Sequence, residues 1–350
     1  MRFIKELLLA AIFTAVFFVV LMALLPSKAR VERSLDIHHP PVQVYDVVKS
    51  FRQFPTWSPW RKRDPGISYT FSEASSGPGA HASWVSSRDP YIGSGSMEVV
   101  EQREGELIRY TLDAPFRGET KTVDLRLREN ETGGVLATMV MEVDYGWDLI
   151  GRVHGMYLES HVGDDLLFSL AQVKTRVESL PDVDYSDDYE ETPPVLVTMN
   201  PKNVIQINGQ AATNQPYSIQ PTVRQFTQTL VALIDIQRLT RTGPRLAVLN
   251  RYGQNYDFTA AIPIEETEAD LPENVSFGVI QGGNYLKVAH VGARWDLPRQ
   301  RDMLMAWAGA NGYRTNGSLF EEFLNDTGGE GENGLREADL ETNLYLPVHL

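Results

Sequence analysis

The sequence predicts an α+β fold, with one apolar N-terminal helix followed by two domains that each combine antiparallel strands with helices. Three observations lead to this prediction. A long apolar run lies close to the N-terminus, strand-like segments separated by glycines fill the first half of the chain, and a strand–helix–strand–strand pattern occurs twice in the second half. A pattern that recurs in this way indicates two copies of one structural unit.

The apolar run extends from Leu7 to Leu25, 19 residues of which only Thr14 is polar. A helix of this length spans roughly 28 Å at 1.5 Å per residue, close to the thickness of a hydrocarbon core of about 30 Å. We therefore expect an uncleaved anchor that crosses a bacterial inner membrane once. A short basic segment precedes the run and favours soluble domains on the periplasmic side, although basic residues that follow it leave the other orientation open. The alternative is a cleaved signal peptide, because Ser27-Lys28-Ala29 has a small-x-small pattern.

Composition limits the classes of function that the chain can have. The formal net charge is −14 and no basic stripe runs through the sequence, so no nucleic-acid partner is expected. The chain contains no cysteine, which excludes disulfides, thiol nucleophiles and cysteine-ligated metals. With 42% hydrophobic and 10% aromatic residues, both domains can bury a sizeable core.

An acidic segment divides the soluble part of the chain. Residues 181–194 carry six acids and three prolines with few aliphatic residues, a composition typical of a linker or an exposed loop. The predicted organisation is an anchor at 1–30, a first domain at 31–180, an acidic proline-containing linker at 181–201 and a second domain at 202–350.

The first domain follows the order strand, helix, six strands, long helix. An alternating strand at 31–37 precedes a helix that begins at Pro40-Pro41, and an apolar stripe marks a final helix at 163–180. This order predicts an antiparallel sheet curled around the terminal helix, an arrangement that can enclose a pocket. The six strand-like segments are 67–74, 79–87, 95–103, 107–113, 120–128 and 135–145, and the stripe of the final helix consists of Leu166, Leu167, Leu170, Val173, Val177 and Leu180.

The second domain repeats a helix, a glycine-led strand and an apolar strand with a late proline. We expect the two copies to face each other across a pseudo-twofold axis and to leave a central cleft for a small molecule. The first copy consists of 222–240, 243–250 and 256–264, and the second consists of 297–310, 317–325 and 340–348.

The first domain carries the motifs Trp57-Ser-Pro-Trp60 after the first helix, Gly77-Pro-Gly79, Trp84 and Gly93-Ser-Gly95. These motifs resemble those of the polyketide-cyclase/START-like (SRPBCC) superfamily, and the lead-in Leu25-Pro-Ser with Val31-Glu-Arg-Ser resembles that of its membrane-anchored bacterial members. The resemblance covers residues from about 25 to 180. It implies a helix-grip fold with a deep apolar cavity for lipids, polyketides or other hydrophobic molecules.

The second domain carries its own set of motifs, namely Gly283-Asn-Tyr285, His290-Val-Gly292, the helix with Trp307, Asn311-Gly-Tyr313, 321–326 and 344–348. They resemble those of the gyrase-inhibitor-like (GyrI-like) effector-binding family, which also occurs fused to AraC-type regulators. The resemblance implies a duplicated SHS2-type α+β fold that binds small, often cationic, molecules beside a buried acid. Two positions depart from the family pattern, since Asn343 stands where a glutamate is common and Phe323 stands where a tyrosine is common. The cleft is therefore expected to favour neutral or weakly polar ligands over lipophilic cations.

Nine residues are candidates for ligand contact, and each also has a purely structural interpretation. The tryptophans are either cavity wall or core, His290 is either a pocket donor or a hydrogen-bonded core residue, and the tyrosine hydroxyls need a partner if they are buried. No nucleophile elbow, metalloprotease helix or phosphate-binding loop is present, so no catalytic residue, metal or cofactor is predicted. The nine candidates are Trp57, Trp60, Trp84, Tyr285, His290, Trp307, Glu321, Asn343 and Tyr345.

These observations favour a membrane-tethered binding protein for small hydrophobic or weakly polar ligands, with a sensor, carrier or sequestering role. The expected partners are a hydrophobic small molecule or lipid and, through the anchor, a membrane. One alternative is a cyclase- or hydrolase-like enzyme, which a carboxylate or histidine with a strongly shifted pKa inside a cavity would favour. The other alternative is a module that binds a protein partner, which a long exposed apolar patch would favour.

Overall fold

The computed structural model describes residues 2–212, 219–251, 255–325 and 336–349. The chain divides into two compact units, residues 1–180 and residues 181–350. Both units combine strands and helices, so the predicted α+β class is confirmed.

Helix α1 (Arg2–Ala23) contains the predicted apolar run and buries none of it against the rest of the protein. Its segment from Phe3 to Ala23 has a mean hydropathy of 2.5. The hydroxyl of Thr14 donates to the carbonyl of Ala10 at 2.9 Å, so this polar group is satisfied within the helix. By length and composition α1 is suited either to cross a membrane or to serve as a signal sequence.

The first unit is built on an antiparallel sheet in the order β1-β7-β6-β5-β4-β3-β2. The six predicted strand segments are confirmed as β2 to β7. The final helix begins five residues earlier than predicted, and Leu167 of its predicted stripe is 42% exposed because it lies off the buried side of the helix. The strands are β1 (Lys28–Ile37), β2 (Ser68–Phe71), β3 (His81–Val85), β4 (Ser94–Arg103), β5 (Leu107–Asp113), β6 (Thr120–Glu129) and β7 (Val135–Asp144), and the helices are α2 (Pro41–Lys49), α3 (Phe54–Trp57), α4 (Trp60–Arg63), α5 (Leu149–Gly155) and α6 (Leu158–Val177).

Two parts of the predicted linker at 181–201 have regular structure. Helix α7 (Ser186–Tyr189) follows Tyr185 and ends with Tyr189. The rings of these two tyrosines are buried and stack with 5.8 Å between centroids. Strand β8 (Val195–Met199) pairs with a strand of the second sheet. Apolar and aromatic residues alternate with the acids here, so the segment can bury side chains despite its charge.

The second unit has one larger antiparallel sheet, with helices α8 (Ile219–Gln237) and α9 (Leu297–Ala310). Its main path runs β12-β9-β11-β10-β15-β16-β13-β8, and β14 pairs with β16 beside this path. Short 3₁₀ turns occur at Arg294–Asp296 and Glu337–Asp339. The further strands are β9 (Lys202–Ala212), β10 (Arg245–Arg251), β11 (Asn255–Pro263), β12 (Ser276–Ile280), β13 (Gly283–Val291), β14 (Arg314–Thr315), β15 (Leu319–Phe323) and β16 (Glu341–His349).

The strand order confirms the duplication. The first copy contributes β9-β11-β10 and the second contributes β13-β16-β15, so the two copies meet where β10 pairs with β15. Equivalent pairs join the late prolines to their neighbours, Val204 with Pro263 and Tyr285 with Pro347.

The edge strands link the two copies and curl the sheet. Strand β8 pairs with β13 of the second copy, and two residues after β8 the chain enters β9 of the first copy. Strand β12 pairs with β9 of the first copy, and two residues after β12 the chain enters β13 of the second copy. Because two residues can span only about 10 Å, the edges of the sheet must approach each other at these connections. The connections also touch, since a Cβ on Gly282 would lie 2.8 Å from Cδ of Pro201.

The two faces of the second sheet have different coverings. On one face, Leu230 and Ile234 of α8 pack with Ile205, Ile207 and Ile262. We call the opposite face the inner face. Its buried cluster consists of Val204, Leu246, Ala261, Ile280, Tyr285, Phe320 and Tyr345.

Candidate ligand-binding sites

The first unit encloses a cavity of about 760 Å³ between its sheet and α6. Alternate residues of the strands point into it, such as Met139 and Met141 of β7, because successive side chains of a strand face opposite sides. Leu166 and Ser169 of α6 form the facing wall. The remaining walls consist of Phe54, Trp57, Pro59, Trp60, Arg63, Tyr91, Ile92, Met97, Tyr110, Leu112, Phe116, Arg117, Val123, Tyr145, His154, Tyr157, Leu158, Ser160, His161, Val162 and Asp165.

The three candidate tryptophans of this unit have two different positions. Trp57 and Trp60 line the cavity. Trp84 is not among its lining residues; it is 2% exposed and packs behind Trp60 with 4.2 Å between ring centroids. Its indole N–H donates to the carbonyl of Ile92 at 3.3 Å. Trp84 therefore supports the wall that Trp60 presents to the cavity.

An ion pair lies in the wall of this cavity. The Arg63 guanidinium of α4 donates to Oδ1 of Asp165 on α6 at 2.7 Å. Burial raises the pKa of the Asp165 carboxyl above its usual value, while the positive charge of Arg63 opposes that rise. Sequence patterns did not predict either residue as part of a site. Arg63 of α4 and Asp165 of α6 are 102 positions apart, so only the packing of these helices brings them together.

Two histidines, His154 and His161, also line the cavity. In each, Nδ1 lies near the carbonyl four residues earlier, at 2.9 Å for His154 and Ile150 and at 2.8 Å for His161 and Tyr157. A carbonyl only accepts, so in each of these hydrogen bonds Nδ1 is the donor. Helix α6 begins at Leu158, and its first turn with His161 lies beside the cavity. The predicted start at residue 163 therefore left this part of the cavity wall outside the helix.

In the second unit, three buried rings of the inner face contact one another. Phe320 and Tyr345 stack with 4.7 Å between centroids, and Tyr285 meets both rings edge-on. The hydroxyl of Tyr285 donates to the carbonyl of Gln281 at 2.7 Å. These rings lie on the inner face of the curled sheet, the side on which the sequence suggested a cleft.

A carboxylate that sequence reasoning missed lies at the end of this ring cluster. Glu322 Oε2 accepts from the Tyr345 hydroxyl at 2.9 Å and from the Asn343 amide at 3.2 Å. Lys202 Nζ approaches Oε1 of the same carboxylate at 3.4 Å, and Lys287 lies 5.7 Å from the centre of the Tyr345 ring. Burial and the Glu322 charge raise the pKa of the Tyr345 hydroxyl, which therefore remains protonated and donates.

Glu321 lies on the helix-covered face and does not join Tyr285, Asn343 and Tyr345. It is fully buried and accepts from Nε of Arg301 on α9 at 2.6 Å. The two-residue period of a strand is the reason, because a shift of one position moves a side chain to the opposite face. The alternation of polar and apolar residues that separates the faces is absent from Leu319–Phe323, where all five residues are buried.

The remaining candidates of this unit also lie away from the inner face. His290 pairs with Thr342 in the register of β13 and β16, one position out of phase with Ala289 and Asn343. Phe323 pairs with Thr342 as well and packs under the Arg294 guanidinium at 4.9 Å. Trp307 belongs to α9 and stacks on Tyr313 at 5.9 Å. Of the two departures from the family pattern, only Asn343 is therefore on the face that carries Glu322.

Within residues 2–212, 219–251, 255–325 and 336–349, no group of three or more histidine or acidic side chains is arranged to hold a metal ion. The first cavity is a mainly apolar chamber whose polar groups include the Arg63–Asp165 ion pair, Arg117 and two imidazoles. It can bury an apolar body and offer hydrogen bonds to a polar end of that body.

Two family models match the chain. Residues 28–178 match the family described as polyketide cyclase/dehydrase and lipid transport, and residues 192–349 match the GyrI-like small molecule binding domain. These are the two families that the motifs indicated. No curated protein matches the chain.

Several solved structures are similar to parts of the chain. The C-terminal domain of EcmrR is 18% identical, with 45% of this chain and 96% of that chain covered and a TM-score of 0.37. A protein from Thermobifida fusca is 20% identical, with 42% and 91% covered and a TM-score of 0.34. Protein Ms6760 from Mycobacterium smegmatis is 15% identical, with 43% and 92% covered and a TM-score of 0.32. None of these likenesses bears on the ligand of this chain.

Proposed function

We propose that the chain is a membrane-tethered protein that binds small hydrophobic ligands. The proposal is supported by the match of its two parts to a polyketide-cyclase-type family and to the GyrI-like small molecule binding domain. Helix α1 is the proposed tether, uncleaved and crossing a bacterial inner membrane once, with both domains in the periplasm. The role is that of a sensor, carrier or sequestering module.

The cavity of the first unit carries this proposal. Its volume of about 760 Å³ falls within the range of about 300–1,000 Å³ that is common for ligand sites. A ligand that buries roughly 300 Å² of apolar surface would gain about 7 kcal/mol from dehydration, before the cost of association is subtracted. Apolar walls with few polar groups suit a ligand that is mostly hydrocarbon or aromatic and has one polar end.

The inner face of the second unit is the proposed second site, and its charges support neutral or weakly polar ligands. The Glu322 carboxylate already accepts from Tyr345 and Asn343 and faces Lys202. A cationic ligand would have to compete with this lysine for the carboxylate. The substitution of Asn343 for the acid common in relatives removes a further negative charge from the same face.

A second candidate function is an enzyme that acts in the first cavity. Asp165 supports it, because this carboxyl lines the cavity and burial raises its pKa. A general acid needs such a shift, although the positive charge of Arg63 opposes it. If Asp165→Asn abolished turnover of a bound ester or polyketide while ligand affinity stayed unchanged, the enzyme would be favoured over the binding protein.

Native mass spectrometry of the detergent-extracted chain tests the binding function directly, by detecting a co-purified lipid or metabolite. Titration with an apolar fluorescent probe then locates the site. We expect Trp60→Ala to weaken probe binding and Trp295→Ala, which changes a 59% exposed ring of the second unit, to leave it unchanged. Equal affinity in folded Trp60→Ala would exclude this cavity as the site.

Reporter fusions after Pro181 test the tether and its orientation. We expect activity only of a reporter that functions in the periplasm, with the chain recovered from membranes at full length. A soluble product lacking residues 1–29 would show instead that the apolar run is a signal peptide.

A further inference from the structure

One edge of the first unit exposes four large apolar side chains within eleven residues. Trp147 is 80% exposed, Ile150 53%, Met156 63% and Tyr157 58%. Three of them flank or belong to α5, and a cluster of this kind is unusual on a surface that faces water. We call these four residues the α5 patch.

The fold holds the inner side of α5 against the sheet and turns the patch outward. A Cβ on Gly151 or on Gly155 would lie 2.7 Å from ring atoms of Tyr145, so only glycine allows this close approach. The two glycines are four residues apart and therefore share one side of the helix. The patch residues of α5 and its C-terminal end extend from other sides of the helix, away from Tyr145.

The end of α1 is fastened to the same element. Nη1 of Arg152 in α5 donates to the carbonyls of Ala23 at 2.6 Å and Leu25 at 3.1 Å. The backbone N–H of Tyr145 donates to the carbonyl of Ser27 at 2.7 Å, which fixes the exit from the apolar helix. The patch therefore lies where the apolar run ends, which is the level of a membrane surface if α1 spans a bilayer.

The composition of the patch matches the interfacial region of a bilayer. Tryptophan and tyrosine concentrate at this depth because they have apolar rings and a polar group that remains hydrated. The Arg152 guanidinium lies 5.4 Å from the Trp147 ring, so a charge on a flexible stem accompanies the aromatic group. With a formal net charge of −14 on the chain, apolar insertion and not attraction to anionic lipid is the fitting mode of contact.

The patch also adjoins the cavity. Tyr157 lines the cavity and is 58% exposed, so the cavity reaches the surface at the junction of α5 and α6. His154 and Leu158 line it from the same segment. An opening at this position would face lipid and not the aqueous phase.

We propose that the α5 patch inserts into the lipid interface beside α1 and that the first cavity therefore exchanges its ligand with the bilayer. This inference rests on the tether of the proposed function, and it names membrane-dissolved amphiphiles as the ligand class. Phospholipids, their acyl products and other single-headed amphiphiles share the required chemistry.

The absence of native cysteine allows a direct test in the full chain. Single cysteines replace Ile150 and Met156 in the patch, Phe13 in α1 and, as a matched exposed apolar control, Val100 of β4. Each variant is labelled with an environment-sensitive dye and reconstituted in vesicles that carry spin-labelled lipids at a shallow or a deep acyl position. We expect labels at 150 and 156 to be quenched mainly by shallow spin labels, the label at 13 mainly by deep ones and the label at 100 by neither.

The outcomes separate this inference from the tether. Unquenched labels at 150 and 156 beside a quenched label at 13 would overturn the patch contact and leave the tether standing. An unquenched label at 13 as well would overturn both. Shielding of the labels at 150 and 156 that persists in detergent would assign the patch to a protein contact and exclude the bilayer.

A second measurement tests ligand exchange. We expect Ile150→Ser with Met156→Ser to slow transfer of a pyrene-labelled fatty acid from donor vesicles into the cavity several-fold, with equilibrium affinity unchanged because neither residue lines the cavity. The matched control is Val100→Ser. Unchanged transfer in the double variant would show that the cavity does not load through this edge.

Discussion

The two units use curled antiparallel sheets in opposite ways. In the first, α6 packs against β1 and β7, and a cavity of about 760 Å³ lies over β4, β5, β6 and β7. In the second, α8 and α9 cover one face, and the inner face carries a cluster of rings, with Phe320 and Tyr345 4.7 Å apart. The helix of the first unit therefore forms one wall of its cavity, whereas the helices of the second unit lie on the face opposite its aromatic cluster.

Truncation of a large side chain should distinguish the ring cluster of the second unit from the cavity wall of the first most clearly. We expect Phe320→Ala to destabilise the second unit by about 3–5 kcal/mol, since a new cavity forms among the rings. Met97→Ala in the wall of the first cavity should cost only about 1–2 kcal/mol, because space already exists beside it. Hydrogen-exchange mass spectrometry of the strands of each unit measures both values in the full chain. Equal costs would mean that the Met97 wall is packed as tightly as the inner face.

Filling the cavity should sharpen the same contrast. Met139→Trp adds a ring to the cavity wall and should weaken binding of an apolar probe about tenfold, which corresponds to about 1.4 kcal/mol. Val85→Trp, at a 56% exposed position of β3, is the control with the same added ring. Isothermal titration with the probe measures both affinities. A loss shared by the control would place the probe outside the cavity.

Removal of a charge tests whether the second unit holds a latent cation site. Lys202→Met should release Glu322 from its lysine and raise affinity for a cationic dye about fivefold, or about 1 kcal/mol, as for a partly exposed ion pair. Fluorescence titration measures the change, and the double variant with Glu322→Gln should return to the wild-type value. Tight dye binding by the wild-type chain that neither substitution alters would place cation recognition elsewhere.

Asp165 should produce the smallest effect, as a pH dependence in the stability of the first unit. Its folded pKa is raised above the unfolded value near 3.8, so the folded state binds more protons than the unfolded state in this window. Wild type should therefore gain stability relative to Asp165→Asn as pH falls through the raised pKa, and lose that gain as pH rises again. Unfolding by urea at pH 4 and pH 7 measures the difference. A difference that does not depend on pH would show that burial leaves this carboxyl unshifted.

The order of elements could be predicted from the sequence because it depends on local patterns. Glycine-bounded alternating segments marked β2 to β7, and the late prolines at 263 and 347 marked equivalent strands of the two copies. The apolar run of α1 and both family resemblances were equally local. Periodicity, turn residues and motif order can be recognised within short stretches of sequence. These predictions therefore did not require knowledge of contacts between distant residues.

The face on which a side chain lies could not be predicted where periodicity fails. Glu321 and Glu322 are adjacent acids in a strand that is buried on both faces, so no polar alternation distinguishes the one that meets Arg301 from the one that meets Tyr345. Only the register of β15 against β16 decides, by pairing Glu322 with Asn343. A shift of one residue would exchange the two roles.

By itself the sequence determined the class of fold, the duplication and the apolar helix, because each follows from residue order and composition, and the family resemblance implied an apolar cavity in the first domain. The tertiary structure decided which residues share a site. Arg63 meets Asp165 across 102 positions, Lys202 meets Glu322 across 120, and Arg152 meets the end of α1 across 127 or more. Such contacts depend on how helices and strands pack once the chain has closed its long loops, and that information is carried by all the elements together and not by any one segment.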